Sequence, residues 1–220
     1  MELETQNAIN DICVSWLLME GNDSNPRAER KVMKGHKRRR LSHILLSLGV
    51  LYYWLPDPLY AEGVPKWWGL LAATFLACVI EFVRIKRRVP IPGMRPYEEK
   101  RIGGYLYAVI GAVLVLWFSP ISVGVPCIIG MAWCDPLAGE LRHAKINERK
   151  IVVLTAIAYA LIALCSLIAL GVKPVSMIAL ITIMTPLAVL SEQIEIKYLD
   201  DDLTMLVVPA ASGTLLLRII

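Results

Sequence analysis

Five carboxylates, Glu192, Glu195, Asp200, Asp201 and Asp202, fall within Ser191 to Leu203, a stretch enclosed by two apolar runs. An ionised side chain at mid-membrane costs at least about 2.5–3.5 kcal/mol, so acids flanked by apolar runs belong at a membrane face with a cation to neutralise them. Asp135 also closes an apolar run, and arginines recur at Arg84, Arg95, Arg101 and Arg142. Acids and guanidinium groups together are what phosphoryl transfer requires. One or two carboxylates hold Mg²⁺ against phosphate oxygens, and arginines neutralise charge on the transferred group. The metal candidates are Asp135, Glu192, Asp200, Asp201 and Asp202. The nucleotide-binding candidates are Glu81, Arg84, Arg95, Glu98, Arg101, Arg142 and Lys145. His43, or Asp135, is placed to accept a proton from an attacking hydroxyl.

Elements of one kind can hold these groups in place. The chain has 220 residues, of which 56% are hydrophobic, and a mean hydropathy of +0.56; soluble domains run at about 45–50% apolar. These values predict an all-α, polytopic membrane helical bundle. Residues 1–40 form a cytoplasmic N-terminal segment ending in a basic run, and residues 41–220 form the transmembrane catalytic domain. The apolar runs predict about seven spans: Leu41–Leu55, Trp67–Val83, Ile102–Phe118, Ile121–Cys134, Ile151–Gly171, Val175–Leu190 and Leu203–Ile219. If Pro120 and Pro126 break the third and fourth into a re-entrant pair, six remain. Lys and Arg cluster on alternate connections, leaving only Lys66, Lys173 and Arg218 on the others, so the N-terminus and every candidate site residue are expected at the cytoplasmic face. Arg95, Glu98 and Arg101, at i, i+3 and i+6, are expected along one face of a helix entering the third span.

Other classes find less support. No GxxxxGK[ST] loop and no GxGxxG occurs, Gly103-Gly104 being the only adjacent glycines, so neither a P-loop nor a dinucleotide fold is indicated. The five cysteines show no CxxC spacing, and His36, His43 and His143 are too scattered for a zinc framework. The acidic, polar N-terminus, with its first long apolar run near Leu41, does not read as a cleavable secretion signal. The basic run from Arg27 to Arg40 abuts an apolar segment, so it reads as a topology signal and a contact for anionic lipids, with no nucleic-acid partner. A polar conduit for transport would need polar residues through mid-span, and the last three spans carry little beyond Thr155, Ser166, Thr182, Thr185 and Ser212.

The segments Arg39-Arg40-Leu-Ser-His43, Glu81-Phe-Val-Arg84, Arg95-Pro-Tyr-Glu98-Glu-Lys-Arg101-Ile-Gly-Gly104, Asp135-Pro-Leu-Ala-Gly139-Glu-Leu-Arg142, and Glu192 followed by Asp200-Asp201-Asp202-Leu-Thr and Pro209 occur in that order. From about His43 to Pro209 the chain resembles the dolichol and phytol kinase family. That family includes CTP-dependent diacylglycerol kinases and is distantly similar to the phosphatidate cytidylyltransferases. One departure is Asp202, where the family usually has Asn. The resemblance implies transfer of the γ-phosphate of CTP, with Mg²⁺, to a polyprenol- or dolichol-type alcohol at the cytoplasmic membrane face. It leaves as alternatives a CDP-lipid-forming cytidylyltransferase or a kinase for diacylglycerol, phytol or geranylgeraniol. The implied partners are a membrane lipid alcohol and a cytidine nucleotide.

Overall fold

A computed structural model describes residues 40–59, 63–89, 101–194 and 200–220. Among these residues the regular structure is entirely helical. After an N-terminal helix come α1 (Trp67–Arg87), α2 (Gly104–Phe118), α3 (Ile121–His143), α4 (Glu148–Ala169), α5 (Pro174–Gln193) and α6 (Asp201–Ile219). Helices α1, α3, α4, α5 and α6 are long and apolar enough to cross a membrane, and α2 is a shorter apolar helix. Where water is excluded, a helix satisfies its own backbone polar groups, which is why long apolar runs take this form.

The N-terminal helix differs from the expected first span. Residues 40–46 are α-helical, and the chain then tightens into a 3-10 helix over Ser47–Trp54. At rises of about 1.5 Å per α residue and about 2.0 Å per 3-10 residue, these few residues reach roughly 26 Å, close to a hydrocarbon core of about 30 Å. Its exposed side chains include Leu41, Leu45, Leu48 and Leu51, while His43 is buried and Leu46, Val50 and Tyr53 pack on the core.

Helix α3 is the most enclosed of the five candidate spans. Val123, Cys127, Ile128 and Met131 on it are fully buried, packed with residues of α2, α4, α5 and α6 in one apolar cluster. Close approach depends on small residues. A methyl group built on Gly130 would stand 2.7 Å from Cδ2 of the buried Tyr159 ring, and one on Gly124 would stand 2.6 Å from Cζ of Tyr53. Outer faces carry exposed Phe75, Leu76, Phe82, Val175 and Ile178, as expected of helices bathed in lipid rather than water.

Contacts sort the helix ends into two groups. At one end the Tyr53 hydroxyl donates to the carbonyls of Val115 and Ser119, the rings of Trp67 and Trp117 lie 5.8 Å apart, and Lys66 sits over Tyr52. Aromatic side chains are enriched at membrane interfaces, and Tyr52, Tyr53, Trp67 and Trp117 gather at this end. At the opposite end are the Arg142–Glu192 pair and the hydrogen bond from Thr204 to the Ser191 carbonyl.

Two expectations at that second end are corrected. The fourth span does not stop at Cys134: α3 continues through Asp135 and Pro136 to His143. Asp135 therefore lies in the helix body, more than two turns before its end. A proline there removes one backbone donor, a loss that neighbouring groups can offset inside a packed membrane bundle. Nor does Arg101 lie on a helix entering the third span, since Gly103 is the N-cap of α2 and Arg101 precedes it in non-helical backbone. Arg95 and Glu98 lie outside the described residues.

Candidate metal and phosphate site

Three segments distant in sequence supply the centre of the site. The N-terminal helix brings His43, the body of α3 brings Asp135, and the start of α6 brings Asp200, Asp201 and Asp202. His43 Nε2 lies 3.6 Å from Asp135 Oδ2 and 3.9 Å from Asp202 Oδ2, with the Asp202 side chain only 1% exposed and that of Asp135 14%. Both separations exceed an N–H···O hydrogen bond, so the imidazole and the two carboxylates face one another across a shared space. The ligand atoms of His43, Asp135 and Asp202 all lie within 4.8 Å of one another, and so do those of Asp200, Asp201 and Asp202. Asp202 belongs to both groups.

Local structure explains the start of α6. Asp200 is the N-cap, its carboxylate accepting from the Asp202 amide at 3.2 Å, and Asp201 and Asp202 occupy the first turn, where acids complement the helix dipole. The opposing wall is α2. A methyl group on Gly104 would meet Asp202 Oδ2 at 3.1 Å and Asp200 Oδ2 at 3.2 Å, so a larger residue would push these carboxylates back by a few tenths of an ångström.

A divalent cation fits this donor set. Mg²⁺ takes oxygen ligands, characteristically one or two carboxylates completed by water and phosphate, and Asp135 with Asp200–Asp202 offers such oxygens from two helices around one space. The same carboxylate oxygens suit Mn²⁺.

The remaining site candidates separate into three groups. Glu192 is buried at the end of α5, where a helix dipole disfavours an acid, and its partner is Arg142, whose Nη2 donates to Oε1 at 2.7 Å. Arg142 also stands 3.5 Å from Glu148. The structure thus gives Glu192 to an arginine beside the acid cluster and leaves it outside the two metal-competent groups. Lys145 is exposed in the turn after α3, with a left-handed φ of 56°. Glu81 and Arg84, only 3% and 4% exposed, bind each other and the backbone ahead of α2, while the Arg101 side chain is exposed.

Sequence reasoning missed Tyr105, whose hydroxyl donates to Glu81 at 2.6 Å, and the ion pair that ties Arg40, one turn before His43, to Glu140 near the end of α3. The adjacent glycines at 103 and 104 were the available signal for the α2 wall, but no phosphate-loop pattern surrounds them.

The Arg142–Glu192 pair carries a stability prediction. Breaking a fully buried pair costs about 3–5 kcal/mol, and with Arg142 39% exposed Arg142→Met should lose roughly 2 kcal/mol, which Glu192→Gln in the same chain should largely restore. Thermal unfolding of the four variants of that cycle in one detergent measures both effects.

No protein-family model, curated protein or solved structure matches this chain.

Proposed function

We propose that this chain is a Mg²⁺-dependent, CTP-using lipid-alcohol kinase of the membrane, acting on a polyprenol- or dolichol-type alcohol. The observation that carries the reading is the meeting of His43, Asp135 and Asp200–Asp202 at one end of an apolar helical bundle. A site there serves a water-soluble triphosphate and a hydroxyl anchored in lipid at the same time. The choice of CTP and of a long-chain alcohol rests on the sequence resemblance.

Arg40, Arg84, Lys86, Arg87, Arg88, Arg101, Arg142, Lys145, Arg149 and Lys150 gather at the site's end of the bundle, against Lys66, Lys173 and Arg218 at the other. By the positive-inside rule the site then faces the cytoplasm, where nucleoside triphosphates are found. In this reading the N-terminal helix and α2 also cross the bilayer, giving seven spans. Asp135 and Asp200–Asp202 would hold Mg²⁺, which when bound supplies positive charge to the β- and γ-phosphate oxygens. The chain's own groups do the rest. Arg142, half exposed beside the cluster, is within reach of a phosphate, and Asp135 or His43 takes the proton as the alcohol oxygen bonds to the γ-phosphorus and the bond to the β-phosphate oxygen breaks, releasing CDP.

The test is a product assay on the full chain in lipid nanodiscs with Mg²⁺, each of the four γ-labelled nucleoside triphosphates in turn and, separately, polyprenol, dolichol, phytol, geranylgeraniol, diacylglycerol and phosphatidate. Labelled polyprenyl or dolichyl phosphate with stoichiometric CDP is the expected result. Label confined to another alcohol would reassign the substrate. Pyrophosphate released with a CDP-lipid from phosphatidate would make the protein a cytidylyltransferase, and no product from any lipid with any of the four nucleoside triphosphates would reject the enzyme.

A further inference from the structure

We infer that Glu81 and Arg84 are positioning residues that set the acid cluster by clamping the backbone ahead of α2, and that neither touches nucleotide or metal. A carboxylate offers about four acceptor sites, and four donors fill those of Glu81. Oε1 accepts from the Gly103 amide at 2.6 Å and from Arg84 Nη2 at 2.7 Å. Oε2 accepts from Arg84 Nε and from the Tyr105 hydroxyl, both at 2.6 Å. Arg84 Nη2 also donates to the Arg101 carbonyl. Nothing of the carboxylate remains for a cation, and the guanidinium is turned inward.

What the pair holds is the entry to α2. Arg101, Gly103 and Tyr105 are all bonded to it, and Gly104, between the last two, is the residue whose Cα faces Asp202 and Asp200. A methyl there would meet carboxylate oxygens at 3.1 and 3.2 Å, closer than such contacts normally run, so a small shift of the α2 backbone toward α6 presses on the ends of these two short side chains. A buried ion pair adds little net stability over apolar packing, and its best-attested use is to fix register. Here it fixes the register of α1 against α2, and through Gly104 the spacing of two of the acids.

The inference rests on the acid cluster holding a divalent cation, as in the proposed function, but not on kinase activity. It is tested with Mn²⁺ alone, titrated by electron paramagnetic resonance into the full chain in nanodiscs. Groups bonded to a metal ligand alter metal affinity by about 10–100-fold, and Glu81 acts from further out, through Gly104, so Glu81→Gln should weaken Mn²⁺ binding by up to about tenfold at a temperature where the helices remain folded. Gly104→Ala, which leaves the Glu81–Arg84 pair intact, should weaken it in the same direction by pressing on the acids. Tyr105→Phe removes one of the four bonds and should give a smaller loss of the same sign, which keeps the test valid if Glu81→Gln does not fold. Wild-type Mn²⁺ affinity in folded Glu81→Gln or in Gly104→Ala would overturn the positioning role, whatever the melting temperature. No Mn²⁺ binding by the wild type would remove both this inference and the metal in the proposed function. Mn²⁺ binding that depends on Glu81, without product from CTP, would remove only the kinase.

Discussion

Asp202→Asn should weaken Mn²⁺ binding and turnover, without abolishing them, while raising the melting temperature of the metal-free protein. Asp202 is the carboxylate common to both metal-competent groups, and its side chain is 1% exposed. The substitution keeps the shape and removes one of several negative charges crowded within a few ångströms, so the metal-free fold loses like-charge repulsion. The amide keeps a side-chain oxygen but not the charge, so the loss in metal affinity should fall within the roughly 10–100-fold range seen when a group around a metal is altered. A ligand that binds only the folded state stabilises it by about 2.7 kcal/mol at a hundredfold excess over Kd. Wild type should therefore melt higher in Mn²⁺ or Mg²⁺, and Asp202→Asn should gain less at the same metal concentration. Asp135→Asn and Asp201→Asn should lose turnover as well. If Asp202→Asn kept the wild-type Mn²⁺ response, the acids would be no more than a cap for α6.

Two glycines of α3 should respond to alanine with opposite signs. In a helix interior alanine is favoured over glycine by roughly 0.5–1 kcal/mol. Gly139 has nothing within 4 Å of its would-be methyl, so Gly139→Ala should raise stability by about that amount. At Gly130 the methyl would overlap the ring of Tyr159, which is 1% exposed and has its hydroxyl on Cys127 Sγ at 3.7 Å. Overpacking a filled core costs about 1–3 kcal/mol, and a ring hemmed in on all sides belongs at the upper end, so Gly130→Ala should lose about 2 kcal/mol net. Shortening the ring in Gly130→Ala/Tyr159→Leu should recover part of that loss, since directly contacting residues are coupled rather than additive. Melting curves in a fixed detergent give both signs. A Gly130→Ala chain as stable as Gly139→Ala would mean that α3 and α4 are not packed as described.

Apolar runs long enough to exclude water leave the backbone no choice but helix, so α1, α4, α5 and α6 could be read along the chain nearly to their ends. The alternation of basic connections then put His43, Asp135 and the Asp200–Asp202 run at one end, because charge avoids hydrocarbon whichever way a helix is turned. The rotation of each helix was another matter. Lipid is as apolar as a leucine core, so a span hydrophobic all round carries little record of which face meets a neighbour. Only the packed structure turned Glu192 to Arg142 and set Glu81 and Arg84 against the backbone before α2. It also placed Asp135 in the body of α3, because Pro136, which reads along the chain as the start of a new helix, is accommodated within an enclosed one.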